Sequence, residues 1–475
     1  MAHIWHADER IAWPTERRDA ADESCDPAAE LARFGRLKTL RSLLQRLVTQ
    51  HGGQGASAPA LAFERWLARA ALHRAATADP VLPAAAGVDA QLVADLSRTL
   101  PRDKAVIIAE ALSARSRDDA ARQAAVFSDA AAEPVPEAAK RLVKAVRRAG
   151  KPLPTDAAAW AALATAAEAL AAHARGRAEV RPSYTVTVDR AGPNVRLAAM
   201  DGDAPKKPYV LISKDHYAKL ATLHARYGGA GDLDERIFCL VTRYEALRGA
   251  GFQCAVPGAC FESLRAVLGN TIECFASPLN CRYERYFSAF PGLERSFGSL
   301  GSFFDEWSRI EEGSFEVNPP FVPEVLAFAA AKIGALLGDA AKGALSFLAV
   351  FPDWGGGASA AQKLRESPFL RANVTIPAAD HVFVDGAQHR VRDRHRPSSW
   401  DTAVLLLQNE AGCAKWPLDT ETLARVVRAS FRRAANEAAP GGAEDLQAWE
   451  ARGPGRGGKK RPRSAPPKRK SNVSQ

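Results

Sequence analysis

Gly313-Ser-Phe-Glu-Val-Asn-Pro-Pro-Phe321 is the stretch from which the rest of this chain is read in both directions. Ser314-Phe-Glu-Val317 is a short strand, residues 322–337 are apolar at helical spacing, and residues 345–351 form a second buried strand. Strand, helix, strand at these lengths predicts an α/β domain on a largely parallel sheet. Further strands are expected at 184–188, 209–212, 271–276, 373–376, 381–384 and 402–407. Helices are expected along Leu233, Ile237, Leu240, Tyr244 and Leu247 and along Cys260, Leu264 and Val267. The last apolar pair suggests one antiparallel edge. Too little chain separates Ala276 from Phe321 for two more strand–helix units, so strands from the 184–212 region, or later ones, must complete the sheet.

The 475 residues suit two domains, and 47% hydrophobic content supplies a core for each. From Glu30 to about Arg177 the chain is rich in Ala, Leu and Arg at helical spacing, as in Leu37, Leu40, Leu44, Leu47 and again Val106, Ala109, Leu112. Pro154 and Thr155 start a further helix at 157–174 whose Trp160, Leu163 and Leu170 give it a face to bury. The net charge of +10 belongs to the end of the chain: nine Lys or Arg and no acid follow Glu450, which leaves the body near neutral. That segment has nothing to bury and is expected to be disordered. Gly453-Pro-Gly-Arg-Gly-Gly458 satisfies a dinucleotide-binding pattern by composition alone, since it follows no strand and opens no helix. No run approaches the roughly 18 to 20 apolar residues of a membrane span, and residues 1–18 carry Trp, Asp, Glu and Arg in place of an apolar signal core, so the protein is expected inside the cell with no membrane partner. The seven cysteines lack the paired spacing of structural zinc, and no metal is assigned.

The chemistry lies in Asn318-Pro319-Pro320-Phe321, which leaves a strand where open α/β sheets hold their ligands. An adenine N6 amine is a poor nucleophile because its lone pair is delocalised into the ring. An amide oxygen from Asn318 and the carbonyl of Pro319, accepting its two hydrogens, would draw that nitrogen towards tetrahedral geometry. Phe321 would stack on the base and hold it in line with a sulfonium methyl. The plainer alternative is a strand-to-helix turn with proline at the helix start.

The flanking blocks Phe275-Ala-Ser-Pro-Leu-Asn280-Cys281, Tyr286-Phe-Ser-Ala-Phe-Pro291 and Phe297-Gly-Ser299 precede that motif. Leu348-Ala-Val-Phe-Pro-Asp-Trp354, Thr402-Ala-Val-Leu-Leu-Leu-Gln-Asn409 and Ala414-Lys-Trp416 follow it. In this order, over about 233–427, they resemble the phosphorylated CTD-interacting factor family, the cap-specific adenosine N6-methyltransferases. The resemblance implies a Rossmann-like S-adenosyl-L-methionine-dependent methyltransferase domain at 181–440. An α-helical accessory domain at 30–180 precedes it, with an extension at 1–29 before that and a basic tail at 451–475 behind. It implies methyl transfer to N6 of the first transcribed 2′-O-methyladenosine beside an N7-methylguanosine cap, with S-adenosyl-L-methionine as cofactor and capped RNA as partner. Animal members of the family carry a WW module that docks on the phosphorylated polymerase tail. Trp5 and Trp13 are too close together to form one, so the chain is expected to lack the module, and docking by that route is doubtful.

For the cofactor the candidates are Phe275, Ala276, Ser277, Pro278 and Asn280, on the loop leaving a strand, with Asn318 and, at the end of the last strand, Gln408 and Asn409 near the ribose. Phe275 and Pro278 would pack the adenosyl group, and Ser277 and Asn280 would bond it. Trp354 and Trp416 are candidates to stack a base or the cap guanine, with a core role as the alternative. His381, His389 and His395, scattered among arginines, are expected to be solvated or charge-paired. Two other functions stay open: N6 methylation of DNA or internal RNA adenine, and an inactive RNA-binding relative. Lys459-Lys-Arg-Pro-Arg463 and Lys468-Arg-Lys470 point to the nucleus.

Overall fold

A computed structural model describes residues 25–51, 53, 57–72, 79–127, 182–228, 231–247, 254–355, 359–386, 388–389 and 395–437. The helix expected at 157–174, the tryptophans at 5 and 13 and the basic tail lie outside the described residues.

Six strands make the central sheet: β5 (Ile272–Ala276), β6 (Arg285–Ser288), β7 (Gly313–Val317), β8 (Leu345–Pro352), β9 (Leu370–Ile376) and β12 (Thr402–Gln408). Their order is β6-β5-β7-β8-β12-β9. The pairs β5/β6, β5/β7 and β7/β8 are parallel, and β12 runs antiparallel to both its neighbours. The fold is therefore mixed α/β on a mixed sheet. The antiparallel member is not at the edge, as the sequence suggests, but between β8 and β9. An apolar strand with both faces covered fits an interior position as well as an edge, so composition could not place it.

Both faces are covered because the strands alternate two apolar sets. Phe315, Leu345, Phe347, Ala349, Phe351, Ala403, Leu405 and Leu407 pack under helix α8 (Pro323–Gly338) and the short helix α9 (Ala360–Arg365). Leu348, Val350, Val374, Val404 and Leu406 pack under α7 (Gly258–Leu268) and α11 (Thr420–Glu437). α8 begins with Pro323 at its first turn, where a missing N–H costs nothing.

The 184–212 region does not complete this sheet. Strands β1 (Thr185–Asp189), β2 (Asn194–Asp201), β3 (Ala204–Pro205) and β4 (Val210–Ser213) form an antiparallel sheet of their own. Strand β10 (Val382–Val384) also stays outside the central sheet: it pairs with β11 (His395–Pro397) and bridges Ala255. Later strands, β9 and β12, complete the main sheet.

The N-terminal helices are α1 (Pro27–Gln50), α2 (Ser57–Leu72), α3 (Ala90–Leu96) and α4 (Arg102–Phe127). Asp26 caps α1 by accepting from the amides of Ala28 and Ala29 at 3.0 and 3.1 Å. Leu37, Leu40, Phe63, Leu96 and Leu112 share one core with β2, β4 and the helices α5 (Lys214–Tyr227) and α6 (Leu233–Leu247). Two arginines fasten α1 to α6. Arg243 pairs with Glu30 in the interior, and Arg41 donates to the carbonyls of Ala246 and Leu247, at 2.6 and 2.8 Å, where the end of α6 leaves them unbonded.

Candidate functional site

The chain leaves β5 towards β6 on one side and returns to β7 on the other, so the topological switch of the sheet falls between β5 and β7. Crevices at the carboxyl ends of strands at such a switch are where open α/β sheets bind ligands. Here the crevice receives Phe275-Ala-Ser277 from the end of β5 and Asn318 and Pro320 from the end of β7, and all five line one cavity.

Asn318 is buried and its amide orientation is fixed. Its Nδ2 donates to the carbonyl of Cys254 at 3.2 Å, and a carbonyl can only accept, so Oδ1 faces the other way. No partner of that oxygen is found among the described residues. Cys254 is held in turn by the neighbouring bridge, in which Ala255 and Val384 exchange N–H···O bonds of 2.8 Å. The Pro319 carbonyl also has no partner among the described residues, and the prolines at 320 and 323 remove amides that might have reached back to it. Phe321 is half-buried and does not line the cavity. Its ring stands edge-on to Phe383, with centroids 5.7 Å apart, wedged between the cores on either face of the sheet.

The loop after β5 closes on itself. Asn280 Oδ1 accepts from the amide and the hydroxyl of Ser277 at 2.7 and 3.0 Å, and the Ser277 carbonyl accepts from the amides of Asn280 and Cys281 at 3.1 and 2.9 Å. Ser277 and Asn280 therefore reach the cavity as a rigid turn. Pro278 is buried beneath it and is not part of the cavity wall.

Asn409 and Gln408, expected near the ribose, lie elsewhere. β12 runs against its neighbours, with Gln408 opposite Ser346 at the start of β8, so its carboxyl end lies at the edge of the sheet away from Asn318. Asn409 there caps the short helix α10 (Glu410–Lys415), accepting from Gly412 and Leu345 and donating to Gly343. Gln408 bonds Ser346 and the carbonyl of Trp416. Trp416 is at that far edge too, its Nε1 3.0 Å from where a Cβ on Gly269 would sit. Trp354 follows β8 on the correct edge, yet packs against the core and does not line this cavity. His381 is not solvated: its Nδ1 donates to the Pro377 carbonyl at 2.7 Å, its Nε2 lies 2.8 Å from the Thr402 hydroxyl, and burial pushes its pKa down. His389 is buried, 3.7 Å from Glu245.

Several walls of the cavity were not read from the sequence. Phe303 and Phe304 close its apolar end, both within ring contact of Phe275, at 5.2 and 5.8 Å between centroids. The repeated phenylalanine after Ser302 was the one visible signal for them. Glu64, Leu67 and Ala68 come from α2, and Pro80 and Val81 from the segment after it. No local pattern marks those five, because only the long-range packing of α1 and α2 brings them to the crevice.

Below the crevice two glutamates stand opposite each other on β5 and β7, Glu273 in register with Glu316. Both are buried. Burial raises the Glu273 carboxyl to about 7, and burial reinforced by Glu273 raises Glu316 well above the usual range. The Cys254 thiol is likewise pushed up to about 12 by burial, so it stays protonated and is no nucleophile. Among the described residues no group of three or more His, Cys, Asp or Glu side chains gathers to hold a metal ion, and no helix is long and apolar enough to cross a membrane.

With this geometry in place, comparison with known proteins gives the crevice a context. A human mRNA (2'-O-methyladenosine-N(6)-)-methyltransferase is 34% identical over 242 residues, 48% of this chain and 34% of that protein. The mouse protein of the same name is 35% identical over 238 residues, 47% of this chain and 33% of its own length. The chain is similar to an RNA methyltransferase. It spans about a third of the length of these relatives.

The family model for the phosphorylated CTD interacting factor 1 WW domain matches residues 219–386. That finding overturns the expectation that the module is lacking. Trp5 and Trp13 lie far ahead of the matched stretch, which holds its own tryptophans at 307 and 354. The ground for discounting polymerase-tail docking is removed with it.

Proposed function

We propose that this chain is an S-adenosyl-L-methionine-dependent methyltransferase acting on N6 of the first transcribed 2′-O-methyladenosine of capped mRNA. One observation carries the reading: Asn318 is anchored through its amide nitrogen so that its oxygen is left to the crevice at the switch point. The Pro319 carbonyl beside it is a second acceptor, and an exocyclic amine has two hydrogens to give. The names of the human and mouse relatives support this substrate. We read the sheet as the Rossmann-like core of such an enzyme and the N-terminal helices as an accessory wall of its pocket.

The cavity suits the cofactor. Phe275, Phe303 and Phe304 offer an apolar slot for an adenine ring, and Ser277 and Asn280 present polar edges at its side. When bound, the group supplies an electrophilic sulfonium methyl. The protein supplies the acceptors that orient the amine and a largely apolar crevice that holds it. No strong base is needed, because the amine becomes acidic on methylation. The match to the WW model adds a phosphorylated CTD to the proposed partners.

Methyl transfer from labelled cofactor to short transcripts tests this. Capped RNA beginning with 2′-O-methyladenosine should be labelled at N6, while the same RNA beginning with guanosine, or lacking the cap, should not. Equal labelling of uncapped RNA or of DNA would shift the substrate to internal adenine, and no labelling of any substrate would end the reading.

We place the protein in the nucleus on its two basic clusters within 459–470. Truncation after Glu450 should move a tagged protein towards the cytoplasm; unchanged nuclear accumulation would refute import by the tail.

A further inference from the structure

The loop that follows β5 is held from below by two buried ionisable side chains. Glu273 Oε1 accepts from two successive backbone amides, Arg282 at 2.6 Å and Tyr283 at 2.8 Å. Lys219, from α5, donates its Nζ to the Cys281 carbonyl at 2.6 Å. Glu273 is 2% exposed and Lys219 5%. Three consecutive residues, 281 to 283, are thus tied by side chains reaching in from a strand and from a helix. All three bonds go to main chain, so they fix where the backbone runs and not which side chains it carries.

A charged residue in the middle of a buried strand is costly unless its partners reward it. An apolar residue at 273 would leave two interior amides without an acceptor, and that is the larger penalty. The position matters as well. Glu273 pairs in register with Glu316, two residues before Asn318 on β7. The clamp therefore ties the loop bearing Ser277 and Asn280 to the same strand pair that carries Asn318.

We propose that Glu273, assisted by Lys219, is a positioning residue that sets the Ser277–Asn280 turn against Asn318 for cofactor binding. This rests on the reading of the cavity as the S-adenosyl-L-methionine site. The role belongs to the acceptor oxygen. A glutamine presents that oxygen in the same place, and a methionine of similar length presents none.

The test uses the full chain and two readouts, calorimetric affinity for S-adenosylhomocysteine and hydrogen exchange at the amides of Arg282 and Tyr283. Glu273→Met should weaken S-adenosylhomocysteine roughly tenfold and raise KM for the methyl donor, with kcat within about threefold of wild type. Exchange at the two amides should accelerate. Glu273→Gln should restore both readouts to near wild type. Should Glu273→Met fail to fold, Lys219→Met, which loses the bond to the Cys281 carbonyl and the positive charge beside Glu273 but keeps the Glu273 acceptor, should show the same split with a smaller shift. Wild-type affinity in the methionine variants, or a glutamine variant as weak as the methionine one, overturns the proposal. If wild-type protein shows protected amides but no affinity for S-adenosylhomocysteine, the cofactor reading falls, and this role for the clamp falls with it.

Discussion

Asn318→Ala is expected to lower turnover on capped RNA beginning with adenosine by roughly 100-fold or more, the scale of deleting one preorganised polar partner. S-adenosylhomocysteine affinity and thermal midpoint should stay close to wild type. The Nδ2 bond to Cys254 accounts for the fixed orientation, and losing it costs the fold on the order of 1 kcal/mol. The loss in catalysis is larger because Oδ1 meets the amine most strongly as that nitrogen gains positive character, so the effect falls on kcat and not on ground-state binding. Asn318→Asp keeps an acceptor but turns a second oxygen towards the Cys254 carbonyl, where a donor belongs. Activity between the alanine variant and wild type is expected. Near-normal turnover by Asn318→Ala would reduce the motif to a turn and sink the assignment.

Glu316→Gln should stabilise the protein, and by more at high pH than at low. Glu316 faces Glu273 across the strand pair, one of its oxygens has no partner, and burial holds its pKa well above the usual 4.5. In the native state it keeps its proton, whereas the unfolded chain gives it up near the ordinary value. Stability of the wild type therefore declines as pH rises past that value, until the folded-state pKa is reached. Glutamine has no proton to lose and offers an N–H to the Glu273 carboxylate. Denaturant midpoints at about pH 5 and about pH 8 check the sign. An advantage of the glutamine variant that is flat across that range would show that Glu316 is not held protonated.

Much of the central sheet was legible because its strands are short apolar runs separated by amphipathic helices. The motif just after β7 was legible because its prolines and asparagine interrupt that rhythm at a strand's carboxyl end. What failed was direction. Asn409 looked like a site residue because it ends a strand, but a strand inserted antiparallel delivers its end to the opposite edge, and periodicity says nothing about polarity. The Cys254 carbonyl that orients Asn318 was invisible for another reason: it is a main-chain atom 64 residues earlier, aimed by a bridge to β10. The α2 residues in the cavity wall escaped notice because each reads as an ordinary core or surface position of an amphipathic helix.

Helix α11 comes after the last strand of the sheet. Phe431 on α11 packs on His381 at 5.2 Å and on Phe383 at 6.3 Å, and Phe383 in turn braces Phe321. The turn that carries Asn318 and Phe321 is thus buttressed from behind by the last described helix. A fragment ending at Gln408 would retain all six strands yet remove the support on which Phe321 rests. A piece of this chain that keeps the packing behind Phe321 is therefore bounded by the helix that props the turn, and not by the sheet that carries it.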